Sequence, residues 1–234
     1  MKRLATMIMG LIALVMVAGT ASAALRSPQV TVNGGTLQGY LNGVGESINV
    51  STDQQNIQRW QATVSNNSTF TLQVEFAGNA GTNTYGIYNA SGPVNPALYQ
   101  CFPGAATNGW FAVASFRTAP TRVVINTFDN NASPFGLPAT FLGADRNDFG
   151  FYLQQNPSGL VLYTQDSRNA GSVAQALTFA GTGINSGSWW LCWEDTTPQQ
   201  GSDQDFDDAV LFLESLNPVP VSHTSWGDLK KRFN

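Results

Sequence analysis

Six of the fifteen acidic residues fall between positions 194 and 208, and no Lys or Arg lies among them. They are Glu194, Asp195, Asp203, Asp205, Asp207 and Asp208. Carboxylates crowded in this way repel one another unless a cation or protons offset the charge. Calcium is the natural counter-charge, because it accepts about six to eight oxygen ligands in flexible geometry. Asp203, Asp205 and Asp207 are spaced by two, so an extended segment would place their side chains on one side. Glu194 and Asp195 close an aromatic run, Trp189 to Trp193. A strand ending in two acids, a turn and three alternating acids can bring both groups together like the arms of a hairpin. All six are therefore candidate metal ligands.

Rival chemistries are open at this point. Asp203, Asp205, Asp207 and Glu214 occupy the first, third, fifth and twelfth positions of an EF-hand loop. Asp208 stands where that loop needs Gly, and 209–213 reads as a strand, so the spacing is a coincidence. Two of the carboxylates could instead act as acid and base in glycoside hydrolysis. An acidic turn that is merely solvated is the plainest alternative. The residue inventory narrows the rest. The only histidine is His223, near the end. A Ser-His-Asp triad has one candidate base, and a His-rich zinc or copper site cannot be built. Cys101 and Cys192 are the only cysteines. In an oxidising compartment such a pair reads as a disulfide, with two separate buried thiols as the alternative. Trp189 and Trp193 share one strand face and are candidates for stacking on glycan rings. Trp190 and Cys192 share the other face, and at least one of the two must be core.

Period-two alternation between Gly, Pro and Asn punctuation dominates the chain. Phe70, Leu72, Val74 and Phe76 alternate along one segment. Trp110, Ala112, Ala114 and Phe116 follow, then Val123, Ile125 and Thr127, then Phe149, Phe151 and Leu153, then Leu160, Leu162 and Thr164. Further runs cover 173–179, 188–194 and 209–214. Shorter ones lie near 30–32, 37–41, 47–50, 60–64 and 85–88. About a dozen short strands predict an all-β protein, a sandwich or jelly roll of antiparallel sheets. No window of ten residues shows a convincing helical period. Asn33-Gly34-Gly35 and Pro157-Ser158-Gly159 read as turns. The looser stretch 126–143 is either a boundary between coupled β units over 24–130 and 140–216 or a loop within one sandwich.

Residues 1–23 read as a secretory signal peptide. Lys2 and Arg3 precede an apolar core from Met7 to Val17, and Ala21-Ser22-Ala23 is a small-residue cleavage site. Removing 23 residues from 234 leaves 211, enough for a substantial core. That mature chain has 9 basic and 15 acidic residues, a net charge of −6. Nucleic acid is a poor partner for such a surface. No second long apolar run predicts a transmembrane segment. Pro218-Val219-Pro220 ends the last strand, and 217–234 is a tail that could sort or attach the protein. Trp226, Leu229 and Phe233 would share a helical face there, beside Lys230-Lys231-Arg232.

Trp193-Glu194-Asp195 followed by Gly201-Ser202-Asp203-Gln204-Asp205-Phe206-Asp207-Asp208-Ala209-Val210 resembles the signature of the bacterial "domain of unknown function 4114" family. That signature is an aromatic-Glu-Asp, then Gly-x-Asp-x-Asp-aromatic-Asn-Asp-x-Val. The segments 148–153 and 162–169 resemble its opening strand and its middle segment. The resemblance spans about residues 140–216. It implies a β-sandwich module of exported and surface proteins, with no established reaction. Trp193 stands for the commoner Phe, and Asp207 stands at the usual Asn. The helix of a Pro-Glu-Pro sorting signal, present in many relatives, is missing.

The expectation is thus an exported, non-catalytic, calcium-binding β-sandwich module serving in surface structure, adhesion or glycan contact. Its partners would be glycans or other surface proteins. The alternative is a carbohydrate-active hydrolase built on the same carboxylates.

Overall fold

The computed structural model describes residues 24–75 and 81–219. The expected signal peptide, Phe76, His223 and the residues of the expected tail helix lie outside the described residues.

Among the described residues, thirteen strands form two antiparallel sheets. The first sheet runs in the order β13 (Leu216–Pro218), β1 (Trp60–Ala62), β8 (Phe149–Gln154), β3 (Thr84–Asn89), β4 (Leu98–Phe102), with β9 (Val161–Tyr163) also paired to β8. The second runs β10 (Ala176–Ala180), β11 (Trp189–Trp193), β12 (Ala209–Glu214), β2 (Asn67–Glu75), β5 (Phe111–Thr118), β6 (Thr121–Phe128), β7 (Ala139–Leu142). The all-β, sandwich-like class follows from the alternation. Phe70 and Leu72 of β2, and Ala112, Ala114 and Phe116 of β5, point into the space between the sheets. There they meet Trp60, Phe149 and Phe151 of the first sheet. Edge-on packing of Phe70 against Phe151, with centroids 5.0 Å apart, and stacking of Phe116 on Phe149 at 5.2 Å tie the two sheets together.

Residues 24–130 and 140–216 do not build separate units. β12 pairs with β2, β1 pairs with both β8 and β13, and β6 pairs with β7 across the looser stretch. That stretch is a connection inside one sheet.

The outer face of the second sheet is also buried. The helix α1 (Thr36–Gly43) lies there, with Leu37 and Leu41 fully buried against Trp190, Cys192, Phe206 and Val210. Sequence alternation suggested a strand over 37–41. Leu37, Gly39 and Leu41 fit that period, but Leu37 and Leu41 also fit one helical face, and covering the sheet decides between them. A register shift between Val210 and Leu211 places Leu211 opposite Leu72 and Val210 opposite Val74, leaving Gln73 as an extra residue. The bulge flips the strand, so Val74 packs under α1 rather than between the sheets.

Two expectations fail here. Cys101 and Cys192 are free thiols, both buried. Cys101, on β4, belongs to the inter-sheet core, while Cys192 shares the parity of Trp190 and lies under α1. The second sheet's own thickness separates them, so no disulfide forms. Burial pushes both thiols well above their usual range. Trp189 and Trp193 are 8% and 0% exposed and sit in the inter-sheet core. Stacking on glycans is closed to them, because β11 is buried on both faces, not one.

On the outer face of the first sheet, tyrosines cover glycines in reciprocal pairs. Tyr88 is opposite Gly150, and Tyr152 is opposite Gly86. A Cβ on Gly150 would lie 2.5 Å from the Tyr88 ring. Arg168 lies over the Tyr88 and Tyr163 rings and donates to the backbone carbonyls of Ala90, Gly92, Pro93 and Val94. That guanidinium is a lock on the 90–94 turn.

Candidate metal centre

Glu194 directly follows β11, and its amide donates to the Gln175 carbonyl at 3.0 Å. Its position is therefore set by the ladder that aligns β10 with β11. A short 3-10 turn, Pro198–Gln200, then reverses the chain. Thr197 and Gln200 form a capping box around it, Pro198 opens it, and Gly201 closes it in the left-handed region at φ 89°. The loop that follows is not extended. Gln204 and Phe206 both have positive φ, at 61° and 57°. Phe206 is 1% exposed and plugs the cluster beneath α1. With that ring as anchor, Ser202 Oγ donates to Glu194 Oε2 at 2.5 Å and the Phe206 amide donates to Glu194 Oε1 at 2.7 Å. The N-terminal strap holds the loop from outside: the Asn33 amide donates to the Gln204 carbonyl at 2.9 Å and its side chain to the Asp203 carbonyl at 2.8 Å.

The result divides the six acids. Glu194, Asp203 and Asp205 converge, each offering an oxygen within 4.8 Å of the others, and together they can hold a metal ion. Asp195 points away from them, as alternation along a strand requires. It joins Asp208 instead: the Asp195 amide donates to Asp208 Oδ2 at 2.8 Å, and Asn83 Nδ2 donates to Asp195 Oδ2 at 2.9 Å. Asp207 is buried, bonded to Thr36 at the start of α1, and its amide donates to Asp205 Oδ1 at 3.3 Å. A helix N-terminus favours a carboxylate there.

Charge is poorly compensated throughout. Burial raises Glu194, its bonds from Ser202 and Phe206 offset part of this, and Asp203 and Asp205 raise it further. Burial and the Asp205 charge push Asp207 up to about 6. Asp208 rises to about 7, mainly through burial, with Asp195, Glu194 and Asp205 adding. Glu46 shows the contrast. Burial pushes it up too, but bonds from Thr182, Asn185 and Trp190 outweigh that and hold it below its usual range. It accepts from the Thr182 amide and hydroxyl, Asn185 Nδ2 and Trp190 Nε1. Four donors make Glu46 a satisfied structural carboxylate. Glu194 has two donors, and neither ion pair among the described residues, Arg26–Asp166 or Arg59–Asp148, reaches the triad.

Sequence reasoning missed Ser202, Asn33, Asn83 and Glu75. Glu75 ends β2 and accepts the Tyr85 hydroxyl at 2.6 Å. Burial pushes its carboxyl up to about 7, the Tyr85 bond opposes this, and the Asp195 charge adds to it. Nothing in the spacing around Glu75 marks it as a neighbour of the second acidic group, since β2 reaches β11 only through β12.

Compared with family models, with curated proteins and with solved structures, the chain matches none. Among the described residues, no helix is long and apolar enough to cross a membrane.

Proposed function

We propose that the chain is an exported, non-catalytic β-sandwich module stabilised by calcium, serving in surface structure, adhesion or glycan contact. The observation that carries the proposal is the convergence of Glu194, Asp203 and Asp205 within 4.8 Å. Calcium–oxygen distances of about 2.3–2.6 Å allow ligands on one shell to lie up to about 5 Å apart, so this spacing suits the ion. Three carboxylates also leave room in a shell of about six to eight oxygens. The bacterial family resemblance around this loop, and the signal-peptide pattern at 1–23, support an exported setting where weak calcium sites suffice. The test is thermal melting of the mature chain in calcium and in chelator. Calcium should raise the melting temperature, and Asp205→Ala should abolish the rise. Equal melting temperatures in calcium and chelator would reject the proposal.

A carbohydrate-active hydrolase is the second reading. It would draw its acid and base from the Glu194, Asp195, Asp203, Asp205, Asp207 and Asp208 carboxylates, of which Asp208 is pushed up by burial to about 7. Cleavage of any member of a glycan panel, lost in Asp208→Asn, would favour it.

A further inference from the structure

Four strands end the two sheets: β13 and β4 in the first, β10 and β7 in the second. Three of these edges are engaged. On β10, the Thr178 carbonyl accepts the Gln55 amide at 2.8 Å. β13 is three residues long and ends on Pro218, which has no N–H to offer. On β4, the Cys101 carbonyl accepts the Thr127 hydroxyl at 2.7 Å. The edge of β7 is open. The Gly143 amide donates to the Thr121 carbonyl at 2.8 Å, and β7 continues that register, with Leu142 opposite Arg122 and Ala139 opposite Ile125. Antiparallel pairs alternate between bonded and unbonded, so Phe141 and Ala139 bond to β6 while Thr140 and Leu142 turn their N–H and C=O groups outward. No strand among the described residues takes up those four groups.

The flank of this edge is apolar. Phe135, Leu137, Ala139 and Phe141 line one wall of a groove of about 480 Å³, with Leu98 and Pro103 on the other, and no Asp, Glu, Lys or Arg lines it. Leu137 is 93% exposed, Leu142 69% and Phe135 48%. Three of the eight large apolar residues exposed among the described ones thus fall within eight positions, a patch rather than scattered single side chains. Charge selects what can cover it. Residues 130–144 hold no charged residue, in a mature chain with nine basic and fifteen acidic ones. A charged partner finds no counter-charge at this edge. Two copies of so acidic a chain repel where their acidic surfaces meet, but a twofold axis through β7 sets neutral surface on neutral surface. Arg122, opposite Leu142, would then be three strand spacings, about 14 Å, from its own copy, beyond the Debye length of about 8 Å.

We propose that β7 pairs antiparallel with β7 of a second copy about a twofold axis at Phe141. Thr140 of each copy lies opposite Leu142 of the other, and each such pair exchanges both N–H···O=C bonds, so the two second sheets become one continuous sheet. The acidic loop takes no part, and the pairing is independent of calcium. Sedimentation velocity of the full mature chain in chelator, from about 1 µM to about 1 mM, tests it. A monomer–dimer equilibrium should appear, and hydrogen exchange at the Thr140 and Leu142 amides should slow as the dimer forms. Thr140→Pro removes an outward N–H and no bond to β6, so it should weaken the dimer at least about tenfold, the twofold deleting two hydrogen bonds at once. Leu142→Lys, which sets a charge at the edge of each copy, should weaken it too. Val64→Lys, at a residue 96% exposed elsewhere, should leave it unchanged. Melting temperatures measured in parallel show which variants fold. A monomer at every concentration, or a dimer undiminished in a folded Thr140→Pro or Leu142→Lys, would overturn the proposal. Growth beyond the dimer would also overturn it, because the twofold leaves no β7 edge free.

Discussion

Asp205→Asn should change the sign of its effect on stability when calcium is added. The substitution keeps the size of the side chain and an oxygen to accept the Asp207 amide. Asp205 faces two carboxylates, Glu194 and Asp203, within 4.8 Å. At that distance one ionised pair repels by about 1 kcal/mol in water and about 3.5 kcal/mol at an effective dielectric constant of 20. Asp203 is exposed, which puts its pair toward the lower figure. Removing one charge in chelator should therefore stabilise the protein by about 1–2 kcal/mol, or about 2–8 °C for a domain of this size. In calcium at about 100–1,000 times its dissociation constant, the wild type gains about 2.7–4.1 kcal/mol, or about 5–16 °C, which exceeds the variant's advantage in chelator, and the variant forfeits most of that gain. Differential scanning fluorimetry of both proteins near pH 8, with calcium and with EGTA, reads all four melting temperatures. The wild type should melt higher in calcium and the variant higher in EGTA. The same rank order in both buffers would refute the reasoning.

Other expectations follow from the same geometry. Glu75 has its carboxyl raised from 4.5 to about 7 in the fold, so its contribution to stability is full below about 4.5 and lost as pH rises through about 7. In chelator, the fall in melting temperature over that window should be shallower in Glu75→Gln than in wild type; parallel curves would contradict the burial argument. Iodoacetamide should leave Cys101 and Cys192 unmodified in the native protein and label both after denaturation without reductant, read by intact mass; a mass two hydrogens short and unlabelled would restore the disulfide. Trp193→Ala should cost about 3–5 kcal/mol by denaturant melting, as expected for a fully buried aromatic. Gly150→Ala should cost about 1–3 kcal/mol because its methyl meets the Tyr88 ring, and Tyr88→Leu in the same chain should recover part of that.

Much of the fold was legible because alternation is a local signal. Phe149, Phe151 and Leu153, or Ala112, Ala114 and Phe116, announce their faces without knowledge of their partners. The bulge at Gln73 and the helix over Leu37 and Leu41 were not legible, because both are decided by what lies across the second sheet. The site was half legible. The composition of 194–208 marks the acids, but their division depends on alternation at Glu194–Asp195 and on left-handed backbone at Gln204 and Phe206. Neither of those residues is glycine, so local chemistry gives no warning. The cysteines misled for a related reason: parity puts Cys192 with Trp190, under α1, but nothing local to Cys101 shows that it lies on the other side of the second sheet, in the inter-sheet core.

The placement of β12 bears on when this protein can fold at all. This strand, ending at Glu214, lies in the middle of the second sheet, between β11 and β2. Its partner β2 begins at Asn67, and Ala209 lies opposite Glu75 and Glu214 opposite Thr69, so the central pairing joins residues 134 (209 minus 75) to 145 (214 minus 69) positions apart. A chain emerging from a ribosome or a translocation channel therefore holds β2 and β11 with open edges until residue 214 is free. Such edges are templates for aggregation, and closing so distant a pairing is slow. The acidic loop sits immediately before β12, so the carboxylates are brought together only by the step that completes the sheet. A counter-ion present where the chain folds would thus meet its ligands at the last moment of folding, and would favour the finished protein over every shorter intermediate.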